Sequence, residues 1–309
     1  MIIIPDIHGR TFWKEAAGRA SEEKIVFLGD YLDHYLQDEL WSGVTEESAI
    51  GNFREILDLK RAHPNEVILL LGNHDCEYIY GRNVCDCRCY DDRYDELQRL
   101  FRDNKDLFRI AYQREIDGKT YILTHAGLQI EWLERYLPGW KLENVADKLN
   151  ERNRLALDTP APGNTGFAEA LAVTDKMRGG DRGFASPVWV DARTLADGYQ
   201  LSDIVQIVGH TAIDKARPVI TPNVIYTDCS RALSLGDDGI LRYLDGKECE
   251  ITNGDPLKPS AKDDNGYSFG FDVFGRPFCK KCGSSNVHVW AGMFVDRWTC
   301  GDCGNMDHM

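Results

Sequence analysis

Five short apolar runs in this chain each end, within about two residues, on side chains that bind metals. "IIIPDIHG" runs into Asp6 and His8, and "IVFLGDYLD" into Asp30 and Asp33. "VILLLGNHD" ends on Asn73, His74 and Asp75, "YILTHAG" reaches His125, and "IVQIVGHT" reaches His210. Short apolar runs bounded by Gly, Pro or Asp read as buried strands. In open α/β sheets the carboxyl ends of the strands form the ligand crevice. A fold that aligns these runs therefore brings the Asp, Asn and His side chains to one rim. Any single run is ordinary turn chemistry, because Asp, Asn and Gly are common after strands. All five together, using four of the eight histidines, are poorly explained that way. Carboxylate, imidazole and amide oxygen as a set suit Mn, Fe, Zn or Mg rather than a thiol-preferring metal.

The stretches between the runs support the same class. Phe53, Ile56, Leu57 and Lys60 follow the spacing of a helix with one apolar face. "NVIYTD", residues 223–228, is a further strand. Strands alternating with helices predict an α/β core over residues 1–245. Two insertions interrupt it. Residues 76–115 hold a cysteine cluster and then a helical pattern with Tyr94, Leu97, Leu100 and Phe101 on one face. Residues 129–187 hold helical stretches broken by "TPAPGNTG" and "MRGGDRG". Insertions of this kind form cleft walls. Residues 246–275 turn polar and rich in Asp, Gly and Pro, as a linker does, and a cysteine-rich module fills 276–309.

Charge and hydropathy bound the partners. The 309 residues carry a formal net charge of -14, so the bulk of the chain does not attract a phosphate backbone. The start, "MIIIPDIHGR", lacks a basic leader region, and no apolar stretch reaches the ~18 residues of a membrane span. The expectation is a cytoplasmic protein with no membrane partner.

The order Asp-x-His, Gly-Asp-x-x-Asp, Gly-Asn-His-Asp, His and Gly-His resembles that of the calcineurin-like metallophosphoesterases. Many members end on Gly-His-x-His. Here Gly209-His210-Thr211-Ala212 lacks the second histidine, which is similar to the protein-phosphatase branch, as is "SPVWVDAR" at 186–193. The resemblance implies a sandwich of two mixed β-sheets flanked by helices, with two divalent metal ions (Mn, Fe or Zn) at the strand ends. Asp6 and His8 would bind the first ion and Asp30 would bridge both. Asn73, His125 and His210 would complete the second, with His74 and Asp33 as the catalytic pair. A hydroxide bridging the metals would attack a phosphate monoester, small molecule or protein, with His74 as general acid. The alternative on the same centre is a nucleotide phosphodiesterase or dinucleoside-polyphosphate hydrolase. An alternative of another class is a metal-bearing binding module that uses the cysteine-rich tail. The branch carries two arginines that grip phosphate, and His34 and Leu71 stand in their places. His34, Arg178, Arg182 and Arg193 are the candidate substitutes for that grip.

The cysteines form two groups. Cys279, Cys282, Cys300 and Cys303 make two C-x2-C knuckles separated by seventeen residues, the spacing of a structural Zn site in a ribbon. Lys280, Lys281 and Arg297 would favour a nucleic-acid role for it, while Asp296 and Asp302 oppose one. Cys76, Cys85, Cys87 and Cys89 lie beside the strand-end residues, and for them a metal site or a redox switch is the alternative to plain burial.

Overall fold

The computed structural model describes residues 1–35, 41–82, 84–85, 87–158, 166–197, 201 and 204–252, together with the backbone of short strands between 269 and 308. Chain contacts divide it into two units, Met1–Ile251 and Thr252–Met309.

The first unit is built on two mixed sheets. In the first, β1 (Ile2–Ile4), β2 (Ile25–Phe27), β3 (Val67–Leu70) and β4 (Phe108–Arg109) run parallel. The second holds β5 (Ala111–Ile116), β6 (Lys119–Thr124), β7 (Ile204–Val208), β8 (Val219–Ile220) and β9 (Val224–Tyr226) in the order β5-β6-β7-β9-β8. The chain then returns to the first sheet, where β10 (Leu233–Leu235) pairs antiparallel with β1 and β11 (Leu241–Tyr243) lies outside it.

The apolar runs are unbroken because both faces of the first sheet are covered. Ile3, Val26, Leu28, Ile68 and Leu70 share one cluster with Tyr121, Leu123, Ile207 and Ile225 of the second sheet. Their neighbours Ile2, Ile4, Ile25, Phe27, Val67 and Leu69 belong to another cluster, with Phe53, Ile56, Leu57, Leu97 and Phe101. Those last residues come from the helical layer. The α-helices among the described residues are α1 (Lys14–Ala17), α2 (Glu46–Ala62), α3 (Asn73–Tyr80), α4 (Tyr94–Asp103), α5 (Ile130–Tyr136), α6 (Val145–Asp158), α7 (Gly166–Leu171) and α8 (Ala192–Asp197). The α/β architecture of two mixed sheets flanked by helices is thus present.

Two local features differ from the sequence expectation. The residues after β3 do not form an isolated turn; Asn73, His74 and Asp75 are the first turn of α3, with Gly72 as its N-cap. The end of the 76–115 segment is β5, an edge strand whose middle is only partly buried, so its sequence lacks an apolar run.

In the second unit, β12 (Phe269–Phe271) pairs with β13 (Pro277–Cys279). A separate antiparallel sheet comprises β14 (Val287–Trp290), β15 (Arg297–Cys300) and β16 (Met306–His308). Val287 stands opposite Cys300 and Trp290 opposite Arg297. Of the expected zinc ligands, Cys282 and Cys303 lie outside the described residues, as do the side chains of Cys279 and Cys300. No helix among the described residues is long and apolar enough to cross a membrane.

Candidate metal centre

The strand ends meet as their sequence predicts. Two groups of donor atoms form, Asp6–His8–Asp30 and Asp30–His125–His210, each compact enough to surround one cation. They share Asp30, whose Oδ2 lies 3.5 Å from His8 Nε2 and 3.5 Å from His125 Nε2.

Hydrogen bonds on the far side of each ring decide what these nitrogens offer. A carbonyl oxygen only accepts, so His8 Nδ1 donates to Leu32 O at 2.7 Å and His125 Nδ1 donates to Leu28 O at 2.8 Å. Each Nε2 is left with its lone pair facing Asp30. Around His125 Nε2 stand Asn73 Oδ1 at 3.0 Å and His210 Nδ1 at 3.1 Å. Donor atoms each about 2.1 Å from a common cation lie about 3–3.5 Å apart. His210 Nε2 is buried without a hydrogen-bond partner among the described residues. Burial, then the positive charge of Arg178, pushes His210 well below its ordinary pKa. His8 is pushed down by burial and by the His74 ring. Both imidazoles stay neutral, as ligands must be. Asp30 goes the other way, raised by burial and by the crowded carboxylates of Asp6 and Asp75. Convergent lone pairs and crowded carboxylates are the environment a cation relieves, so the residues present fit divalent metal ions.

Backbone strain is concentrated here. Among the described non-glycine residues with positive φ are His8 (43°), Asp30 (52°), Asp33 (63°) and His210 (62°). Left-handed backbone costs about 1–3 kcal/mol at such residues and persists where surrounding structure enforces it. The glycines that precede the strand-end residues serve close approach. Gly72 is extended at φ -93°, so it is not needed for a tight turn. A Cβ there would sit 2.1 Å from Asp30 Oδ1, and one at Gly209 would sit 2.1 Å from Asp6 Oδ1. In the space left open, Asp30 Oδ1 accepts from His74 N at 3.1 Å and Asp6 Oδ1 accepts from His210 N at 3.0 Å.

His74 stands beside the donors, its ring centroid 5.2 Å from that of His8. Its Nδ1 donates to Asp33 Oδ2 at 3.0 Å, and Tyr78 OH donates to Asp33 Oδ1 at 2.6 Å. Burial alone would lower His74, but the charge of Asp30 and the hydrogen bond and charge of Asp33 outweigh it, and the net shift is upward.

The candidate substrate contacts are dispersed. His34 is buried and its Nδ1 is bonded to Tyr90 OH at 2.5 Å. Arg178 reaches Thr211 Oγ1 at 2.9 Å and pairs with Asp191 at 3.1 Å, and its charge is felt at His210. Arg182 bonds Tyr136 OH at 2.6 Å, and Arg193 bonds Asp191 at 2.9 Å. Arg178 thus sits on Thr211, next to His210, and shares Asp191 with Arg193, while His34 and Arg182 are bonded to tyrosine hydroxyls.

Several neighbours were given no role at the site by the sequence reading. Arg88 donates to the carbonyls of Asp33 and His34 and stacks over Tyr35, 3.7 Å from the ring centroid. Trp189 sits edge-on to His210 at 5.6 Å. Asp228 follows β9 and is pushed up to about 8 by burial and by Asp6. The signal that identified the other strand-end acids was present there too, since "NVIYTD" is also an apolar run ending on Asp. Among the described residues no cysteine joins a cation-sized donor group. Cys76 and Cys85 are buried free thiols, and Cys87 and Cys89 are partly buried ones.

The family model for calcineurin-like phosphoesterases matches residues 2–214. Comparison with curated proteins gives no match. Among solved structures, the chain is similar to a cold-active protein-tyrosine phosphatase of a psychrophilic Shewanella species. That similarity is at 16% identity and TM-score 0.49, over 81% of this chain and 80% of that one. It is also similar to a protein serine/threonine phosphatase from Saccharomyces cerevisiae, at 14% identity and TM-score 0.42, over 82% and 80%. With that family match spanning more than half of its length, the chain belongs to the calcineurin-like phosphoesterases and is a metal-dependent hydrolase of phosphoric ester bonds.

Proposed function

We propose that this enzyme hydrolyses phosphate monoesters on a centre of two divalent cations. One observation carries the reading: a single oxygen, Asp30 Oδ2, stands 3.5 Å from a lone-pair nitrogen of each donor group. Asp6, His8 and Asp30 would hold one ion, and Asp30, Asn73, His125 and His210 the other. When bound, two such ions supply positive charge against the phosphoryl oxygens and make a water molecule acidic enough to attack. The chain supplies the rest. Leu28 and Leu32 carbonyls fix the tautomers of His125 and His8. His74 gives a proton to the departing oxygen, while Asp33, itself anchored by Tyr78, holds the ring and favours its charged form. Arg178 is the side chain best placed to contact the phosphate from the 129–187 segment. In the tail, we propose one structural Zn on Cys279, Cys282, Cys300 and Cys303, supported by their spacing.

The test is metal removal followed by a substrate panel. Chelation is expected to abolish turnover and Mn to restore it, with Asp30→Asn the most damaging single change. The reloaded enzyme is then given a monoester, a diester, a dinucleoside polyphosphate and a phosphopeptide. Faster turnover of the diester or dinucleotide than of both monoesters would replace the monoester reading. Full activity without metal would overturn the centre itself.

A further inference from the structure

Cys87 belongs to the cysteine cluster, which the proposed reaction does not use. Its Sγ accepts a hydrogen bond from Asn73 Nδ2 at 3.1 Å. The opposite end of the same amide, Asn73 Oδ1, faces His125 Nε2 at 3.0 Å. An amide has nearly the same shape when rotated by half a turn, so its neighbours decide which end faces the centre. Hydrogen bonding alone would turn the amide against metal binding. His125 Nε2 carries a lone pair, because the ring proton is donated to Leu28 O. A rotated Asn73 would donate its N–H into that lone pair and fill the cation position with hydrogens. The observed orientation instead sets two acceptors face to face, which is favourable only around a cation.

The far end of the amide must therefore be held by an acceptor. The Cys87 thiol points its own proton toward Cys85 O, 3.7 Å away, which leaves sulfur lone pairs toward Asn73. We propose that Cys87 is a positioning residue that holds the Asn73 amide with its oxygen toward the second cation. This rests on the reading of Asn73 as a ligand. It gives residues 87–90 a role beside the centre, with Arg88 on the Asp33 and His34 carbonyls and Tyr90 on His34.

The test is Mn binding to the full-length chain by equilibrium dialysis with metal analysis, independent of turnover. Valine approximates the thiol in size but cannot accept, whereas serine can. Cys87→Val is expected to weaken one of the two Mn sites by about 10–100-fold, the usual effect of losing a group that orients a ligand, and Asn73→Ala, which removes the ligand itself, by at least as much. Cys87→Ser should bind like the wild type. In the Asn73→Asp background both ends of the side chain are oxygens, so adding Cys87→Val should change nothing. Wild-type binding by Cys87→Val beside weakened Asn73→Ala overturns the inference and leaves the ligand reading intact. Unchanged binding by Asn73→Ala overturns the ligand reading itself. A Cys87→Val loss that persists in the Asn73→Asp background, or is matched by Cys87→Ser, overturns the orienting role in favour of packing.

Discussion

Asp75 holds two of the site's loops together. Its Oδ2 accepts from Asp30 N at 2.7 Å and Gly72 N at 2.8 Å, and its Oδ1 accepts from Tyr31 N at 3.1 Å. Asp75→Asn keeps the first two bonds but turns an amide N–H toward the Tyr31 N–H. An unsatisfied buried donor costs about 1–3 kcal/mol. Urea denaturation should show that loss, with a parallel drop in Mn affinity; a variant as stable as the wild type would remove Asp75 from this role. His74 and Asp33 allow a sharper separation. His74→Ala should keep both ions and lose roughly 10²–10⁴-fold in rate on alkyl phosphates. The loss should be much smaller on p-nitrophenyl phosphate, whose leaving group needs little protonation, and equal losses on both substrates would point to a positional role. At this scale the donors were legible because each follows an apolar run in the sequence. Tyr78, Arg88 and Cys87 were not, because their partners lie 14 to 55 positions away and no local pattern joins them.

Helix α2 shows the same divide between local and distant signals. Its apolar face, Ile50, Phe53, Ile56 and Leu57, is buried with 3.6-residue periodicity and could be read directly. Its start is fixed by a reciprocal cap: Thr45 accepts from Ser48 N at 3.1 Å while Ser48 Oγ accepts from Thr45 N at 2.9 Å. Thr45→Ala removes one half of that cap and should cost about 0.5–2 kcal/mol. For a unit of this size that is a shift of roughly 2–4 °C in Tm per kcal/mol, visible by calorimetry. Mn binding should not change, since the metal donors come from strand ends; a coupled loss of metal would mean that α2 sets the His8 loop. Strands β1, β2, β3, β6 and β7 were legible because burial on one or both faces demands an apolar pattern. By contrast β10 and β11, as short as β1 and β2 but only partly buried, carry Ser234 and Arg242 in place of an unbroken apolar run, and β4 and β8 are only two residues each. Their pairing is set by the strand beside them, which the sequence does not name.

At the scale of the whole molecule, the proposed metals would divide between the two units by ligand chemistry. Unit Met1–Ile251 presents nitrogen and oxygen donors at the strand ends, while Thr252–Met309 contains two cysteine knuckles. Hard and borderline donors suit Mn and related ions, whereas four thiolates select Zn. Fewer than about 60 residues bury too little apolar surface to be comfortably stable alone, so a metal would be part of the tail's fold. Three metal equivalents per chain are therefore expected, two released by mild chelation and one Zn held until the thiolates are attacked. Cys303→Ser should lower the Zn content by one equivalent and expose the chain beyond Thr252 to protease. Turnover of a small monoester should survive, because none of the proposed catalytic residues lies past His210. Mass spectrometry of the bound metals, limited proteolysis and a rate assay on the same preparation check the three parts. A fall in turnover proportional to the Zn lost would reject this independence and make the tail part of the hydrolase.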